Sequence, residues 1–481
     1  MDEIGAELRR LERQGDLTAE RAAELGEQAA LASLDGREAP EQAAALLVEL
    51  ATAPAPELAR AGTEGIFRHA VEAMGDAFEP ALCDRYVRFF ARVIERCRAL
   101  PAAGWLDKRL RGHGLTGEAD LIARARSVRR LRRARLRSEA VRKVIVLSRV
   151  TLGAEVAVTS VALRKLMRAF PAAEILLLAP RQSGLLFAGE TRITPRPVDY
   201  PRQGGLLDRL AAWPAVADQV HREIEGCGAD EYVVIDPDSR LTQLGMLPVL
   251  ADESAYYFFE SRSYTRPGIE TLARLTADWL EESFGGDDQP LDPWLSPPEK
   301  ATRYARALRR SLAGARWASV SFGAGDNPAK RIEDPFELRL VEALLDAGWG
   351  ILLDQGAGEE EAARAALLLS QLRAAGRRVA FVRQGEGLPA PDSQVVAWQG
   401  SLAGFAAWIA TSDLYIGYDS AGGHLAAASG VKTVTIFAGF RWPRMVERWK
   451  PSGPGEVRAI VVGRQREALR VLAEVWEAVR D

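Results

Sequence analysis

The sequence is poor in cysteine, close to neutral and without a long apolar run, and each shortage closes off a class of protein. Cysteine occurs three times, at Cys83, Cys97 and Cys227. The three show neither metal-ligand spacing nor an even-numbered framework, so reduced thiols in the cytosol are expected. The formal net charge of −3 lacks the basic excess of a nucleic-acid binder, so nucleic acid is not an expected partner. No run of about 18 apolar residues occurs, so a membrane-spanning helix is not expected. Residues 1–12 are charged and helical in pattern, without the apolar core of a secretory signal. The expected location is cytoplasmic, with membrane contact at most peripheral at the inner membrane.

What is present is ordinary globular material. The 481 residues are 47% hydrophobic and 27% charged, enough to bury a sizeable core in about three domains of roughly 100–200 residues each. Residues 1–140 read as helices only, without strand-like alternation or an internal repeat. The stretch 18–34 is rich in Ala, Glu, Leu and Arg, with Thr18 as a candidate N-cap and Glu20 suited to the helix dipole. Asp35-Gly36, Pro54-Ala55-Pro56 and Pro101 punctuate the region as turns. Between 124 and 143 the chain is densely basic, with Arg129, Arg130, Arg132, Arg133, Arg135 and Arg137 close together. Such a run is a solvated face, a helix lying on another domain, or a surface for anionic lipid or a phosphorylated acceptor. The region is expected to be an accessory helical domain serving oligomerisation or acceptor docking.

At Val141 the character changes. Short β-branched runs at 144–147, 174–179 and 232–236 alternate with a loop at 148–153 and a helical stretch at 156–170, the pattern of a buried parallel sheet with βαβ crossovers. Residues 283–298, rich in Gly, Asp and Pro, read as a linker. A second alternating region begins near Trp317. Its strands are expected at 318–322, 350–354, 378–382, 413–417 and 433–437, and its helices at 335–347, 401–411 and 422–430. A last helix at 465–480 is expected to pack back towards the first of these regions. The predicted class is therefore α/β, with two Rossmann-like domains facing across a cleft (141–298 and 299–481) behind an all-α N-terminal domain (1–140). Ligands then bind between the carboxyl edges of the two sheets.

The most specific segment runs from Asp413 to Gly439. A strand ends near Asp419, the loop Ser420-Ala421-Gly422-Gly423 turns the chain, and a helix starts near His424. Glycines let a ligand approach the backbone, and the first helical N–H groups point at it, which suits a pyrophosphate. A plain βα turn with glycines for tight packing reads the same way. Phe322-Gly323-Ala-Gly325, followed by Lys330-Arg331, adds a compact cation on a loop after a strand. Gly356 opens a loop followed by Glu359, Glu360 and Glu361, which could equally be dipole-compatible residues at a solvated helix start.

Taken in order along residues 142–480, these segments resemble glycosyltransferase family 9, the heptosyltransferases, whose fold is of the GT-B type. Asp419, Ser420, His424 and Leu425 stand at the spacing of that family's Asp-Ser/Thr-Gly-x-x-His-Leu segment, with Ala421 for the usual Gly and Ala438-Gly439 where Gly-Pro is common. The resemblance implies a donor site of Gly323, Gly325, Lys330, Gly356, Glu359, Asp419, Ser420, Gly422, Gly423 and His424. Aligned from Arg149, Ala154 and Glu155 fall on the family's Gly-Asp pair, whose Asp is the proposed base. Glu155 is thus the expected general base, and Lys330 the expected stabiliser of the leaving diphosphate. Gly153, Asp236, Asp238 and Arg240 are expected to face the acceptor. The first 140 residues have no counterpart in common members.

The implied reaction is transfer, with inversion, of a heptose-like sugar from a nucleotide-diphosphate donor similar to ADP-heptose to a glycan, glycolipid or protein hydroxyl. No cofactor is implied. Asp236-Pro-Asp238 has the form of a metal-binding Asp-x-Asp but sits in the acceptor half, so the expected transfer uses no metal. The rival readings are a nucleotide-sugar binder without turnover, motivated by Ala154-Glu155, an epimerase of similar fold, and a transferase that modifies protein.

Overall fold

The structure, a computed structural model, describes residues 40–130, 138–286, 289–325, 327–356, 358–463 and 467–480, with scattered positions before 40. Among these, Thr18 accepts a hydrogen bond from the Arg21 backbone at 3.2 Å, as an N-cap does. The rest of the 18–34 stretch falls mostly outside the described residues, as do Arg132, Arg133, Arg135 and Arg137.

The chain opens with a helical layer: Pro40–Ala51, Pro56–Glu64, a π-helix at Gly65–Glu72, Pro80–Arg98, Gly104–Gly112 and Glu118–Val128. Pro56 and Pro80 start their helices, where the missing N–H costs nothing. Asp120 accepts the backbone N–H groups of Thr116 (2.7 Å) and Gly117 (3.1 Å) at the start of Glu118–Val128. The central helix, Pro80–Arg98, buries Tyr86, Val87, Phe89, Phe90, Val93, Ile94 and Cys97. That spacing of three and four makes one broad apolar face.

A five-stranded parallel sheet follows, in the order β3-β2-β1-β4-β5. Its strands are β1 Lys143–Leu147, β2 Glu174–Ala179, β3 Ile193–Pro197, β4 Tyr232–Asp236 and β5 Tyr256–Phe258. A seven-stranded parallel sheet forms the second domain, in the order β12-β11-β10-β6-β7-β9-β8. Its strands are β6 Trp317–Ser321, β7 Gly350–Asp354, β8 Val379–Arg383, β9 Val395–Gln399, β10 Leu414–Tyr418, β11 Lys432–Phe437 and β12 Val457–Val461. Two parallel sheets of this kind, preceded by helices, form the α/β architecture of the GT-B type.

Both faces of the first sheet are apolar, as a parallel sheet requires. Val144 and Val146 of β1 point to a core that continues past Leu308 and Trp317 to Tyr415 and Leu425 of the second domain. Ile145 and Leu147 point the other way, into a core shared with Phe90, Ile94 and Leu121 of the helical layer. The Leu206–Ile224 helix lies on that same face, with Trp213 buried and its Nε1 donating to the Pro248 carbonyl at 2.7 Å. Two arginines near the end of the layer are used inward. Arg124 pairs with Glu253 at 2.5 Å, and Arg129 with Glu260 at 3.1 Å. This part of the basic stretch lies on the neighbouring domain rather than in solvent.

One expectation is overturned. The last helix, Ala468–Arg480, does not return to the first domain. Val471, Val475 and Ala478 pack into the core of the second sheet beside Leu340 and Leu344, and Lys432 Nζ donates to the Val479 carbonyl at 3.3 Å.

Because Ile145, Leu147, Val234 and Tyr256 share their core with the helical layer, deleting residues 1–130 should expose one face of the first sheet. The truncated chain is expected to aggregate or to melt without cooperativity, by size exclusion and circular dichroism. A soluble truncation that melts cooperatively would show the layer to be separable.

Candidate active site at the facing sheet edges

In an open parallel sheet the crevice for a ligand lies where the strand order reverses, outside the carboxyl ends. In the first sheet that point is between β1 and β4, and in the second between β6 and β10. The loops after these four strands carry Arg149 to Glu155, Asp236 to Arg240, Phe322 to Lys330, and Asp419 to His424.

On the second domain, Asn327 caps a 3₁₀ turn at Pro328–Lys330, its side chain accepting from Ala329 N at 3.1 Å. The turn sends Lys330 across the switch point. Its Nζ reaches the Asp419 carboxylate at 2.8 Å and the Asp419 carbonyl at 2.9 Å. Gly439 backs this turn at φ +65°, and a Cβ there would collide with the Ala329 carbonyl. The Ala421–Ala428 helix starts directly after Ser420. Gly422 is required because a Cβ would strike the Tyr415 hydroxyl, while Gly423 packs near Pro451.

His424 is buried at the domain interface. A Cβ on Gly153 would sit 3.0 Å from its Cδ2, and Trp449 meets its ring edge-on at 6.2 Å. Burial pushes the His424 pKa down to about 4, against the pull of Asp419 and with Lys330 adding to the effect. The imidazole is neutral at neutral pH.

Of the three glutamates after Gly356, Glu361 is the one folded into the loops. Its Oε1 accepts from Gly325 N at 3.1 Å, and it packs against Gly356, where φ is +79°. A Cβ on Gly323 would meet the same carboxylate at 3.1 Å. Glu359 is exposed, and Glu360 pairs with Arg331 at 2.5 Å. Beside this loop Asp354, at the end of β7, accepts from Ser321 Oγ at 3.0 Å. Its pKa is pushed up to about 6, chiefly by burial. Asp354 carried a signal in the sequence, an acid at a strand's carboxyl end before a glycine loop, that was not read as a site.

On the first domain, Glu155 begins a π-helix at Glu155–Thr159 and is fully buried. It accepts from Ser148 Oγ and, at 2.9 Å, from Val150 N. Val150 is held at φ +55°, an uncommon conformation for a β-branched residue. Glu155 therefore pins a strained loop. Burial raises its pKa, outweighing the hydrogen bonds from Ser148, Thr159 and Val150.

Asp236 is also fully buried, accepting from Ser239 N at 2.6 Å, from Thr242 and from Tyr256. Burial pushes its pKa up to about 6 despite these donors. Burial also acts upward on Asp238, but Arg262 and Arg149 outweigh it and hold the carboxyl below the usual range. Arg262 pairs with Asp238, and Ser261 bridges, accepting from Arg149 at 2.6 Å and donating to Asp238 at 2.7 Å. Arg240 reaches Glu72 of the helical layer at 3.9 Å. Arg262 was missed in the sequence, where nothing marks it out.

The helical layer enters the site as well. The turn after its π-helix, residues 73–78, lies over the carboxyl edges of both sheets. A Cβ on Gly75 would meet Arg262 Nε at 2.6 Å. From the second domain Trp442 Nε1 donates to the Ala73 carbonyl at 2.9 Å, and Arg444 to the Phe78 carbonyl at 3.0 Å. Phe78 and Trp449 pack edge-on at 6.3 Å. Asp76 is closely surrounded by protein yet keeps accessible surface, with Arg262, Arg240 and Lys330 around it.

The fold and these loops define a two-domain protein of the GT-B type with Lys330, Asp419 and a helix start at the second switch point. Within it, residues 333–469 match the sequence model described as Glycosyltransferase family 9 (heptosyltransferase). A comparison with curated proteins returned no match. Among solved structures, the glycosyl transferase family 9 protein from Veillonella parvula is 17% identical, over 72% of this chain and 92% of its own, with a TM-score of 0.49. The E. coli heptosyltransferase WaaC with ADP is 17% identical, over 70% and 99%, with a TM-score of 0.45. E. coli ADP-heptose lps heptosyltransferase II is 16% identical, over 70% and 98%, with a TM-score of 0.44. Among the described residues, no helix is long and apolar enough to cross a membrane.

Two outcomes are expected here. Gly439→Ala should destabilise the chain by about 1–3 kcal/mol, because it adds a strained φ and a collision with Ala329. Denaturant unfolding measures it, and an unchanged midpoint would remove the role given to that glycine. The second concerns pH. A carboxyl whose folded pKa is raised holds its proton more tightly folded than unfolded, so its stabilisation is present at low pH and lost as pH rises through about 6. For Asp236 the loss is roughly 3 kcal/mol. Asp236→Asn should therefore flatten the fall in stability between pH 4 and pH 7, measured by urea unfolding at both.

Proposed function

We propose that the chain transfers a sugar from a nucleotide-diphosphate donor to an acceptor hydroxyl. The observation that carries this reading is Lys330. Its ammonium lies across the second switch point, on the Asp419 carboxylate and carbonyl, just ahead of the Ala421–Ala428 helix. A departing diphosphate needs a point charge and oriented N–H dipoles where its own charge develops, and this arrangement supplies both. On binding, the diphosphate would compete with Asp419 for Lys330. Glycines 422 and 423 allow a close approach to the helix start. Glu361, folded between the Gly323–Gly325 and Gly356 loops, is the carboxylate placed to hold ribose hydroxyls, a role for which Glu359 is too exposed.

The family match supports the choice of donor class. Heptosyltransferases are the members that the family description names, and one structure of similar chain trace holds ADP-2-deoxy-2-fluoro heptose. ADP-heptose is therefore the first donor to try. The acceptor is a glycan, glycolipid or protein hydroxyl entering over the first domain, where Gly153, Asp238, Arg240 and Arg262 meet the cleft. Gly153 there serves closure, since His424 packs directly against it. Asp236 stands behind the surface as a support for the loop that carries Asp238.

Calorimetry tests the donor site. Lys330→Ala should weaken the nucleotide sugar by about 1.5–3 kcal/mol, the worth of a hydrogen bond to a charged group, and leave the bare nucleoside almost unchanged. Equal losses for the two would mean that Lys330 does not touch the phosphates. No binding of either by the parent chain would end the donor reading.

A further inference from the structure

We propose that Asp76, carried by the helical layer and not by either Rossmann domain, is the general base that takes the proton of the acceptor hydroxyl. The proposal rests on the transfer reading above. The segment that bears Asp76 is fixed from both sides of the cleft, by Arg262 against Gly75 and by Trp442 and Arg444 on the carbonyls of Ala73 and Phe78. Lys330, the residue assigned to the leaving diphosphate, is near enough for its charge to act on Asp76. A base and a leaving-group cation must both lie near the same anomeric carbon; Asp419, the other accessible carboxylate beside Lys330, is held in an ion pair with it.

The other acids of the first domain's switch point are poorly suited. Glu155 is sealed from solvent and holds the Val150 loop. Asp236 is sealed and engaged by Ser239, Thr242 and Tyr256. Asp238 is buried in its pair with Arg262, which favours its ionised form too strongly for it to hold a proton. Asp76 keeps accessible surface. Burial and the neighbouring Glu72 push its pKa up to about 6, against Arg262, Arg240 and Lys330, so it is ionised at neutral pH and basic enough to accept a proton.

The acceptor oxygen forms a bond to the anomeric carbon as its proton passes to an Asp76 oxygen. The bond from the anomeric carbon to the phosphate oxygen breaks, and its electron pair leaves with the nucleoside diphosphate, beside Lys330.

The test follows ADP release from ADP-heptose by the full chain, with water as the acceptor. Asp76→Asn should lower kcat by about 100-fold or more, with the donor KM within about twofold and the melting temperature retained. It should also abolish the acidic limb of the kcat–pH profile, which in the parent chain falls as pH drops below about 6. Asp76→Glu should restore part of the rate and the limb. If Asp76→Asn fails to fold, Asp76→Glu decides, since moving the base by one methylene should change kcat and not KM. A kcat within threefold of the parent in folded Asp76→Asn, or a KM that moves with kcat in either folded variant, overturns the role of Asp76 alone. A parent chain that binds the donor but releases no ADP, either to water or with glycan, glycolipid and protein acceptors added, overturns the transfer reading itself and this role with it.

Discussion

A parallel sheet is apolar on both faces and must be covered on both, and in the first domain that requirement shapes everything around it. One face is covered by the chain's own crossovers, through Val158, Leu163 and Leu280. The other receives the Leu206–Ile224 helix, which leaves part of it open, and the helical layer closes the remainder through Phe90, Ile94 and Leu121. The layer is therefore built into the core of the first Rossmann domain. Docked there, its 65–78 stretch is carried to the carboxyl edge of the sheet, where ligands bind. What looks in the sequence like an appended domain reaches the site because of a packing demand elsewhere.

The two domains meet through close apolar contact, and the second domain carries an ion pair of its own beside that contact. Gly153 and His424 touch with almost no space between them, and the helix that carries His424 packs on the π-helix led by Glu155. Neutral His424 suits that contact, since a buried imidazolium would need a partner it does not have there. A few residues away, Lys330 and Asp419 satisfy one another. Close packing on one side and a partly exposed ion pair on the other mark the two ends of this stretch of the cleft.

Much of the fold was readable because buried parallel strands are short apolar runs with sharp ends. β2, β4 and β7 lie where Glu174–Ala179, Tyr232–Asp236 and Gly350–Asp354 break into Pro or Gly loops. β3 was overlooked because Pro195 and Pro197 argue against a strand, and β5 because three residues carry no periodicity. The last helix was sent to the wrong sheet since a stripe such as Val471 and Val475 fits any apolar face. Lys330 and Asp419 were legible as charges on glycine-rich strand ends. Asp76 was not. Its charge is acted on by Arg262 and Lys330, residues far along the chain, and locally it reads as one more acid between helices.

The two prolines of β3 have a consequence beyond their own strand. β3 is the outermost strand of the first sheet, paired only to β2. Pro195 and Pro197 face Leu177 and Ala179 in that pairing and have no N–H to offer on any side. An incoming strand would find the donors it needs missing at two positions of five. The sheet ends there by chemistry rather than by cover, which keeps a bare parallel edge from recruiting a second chain.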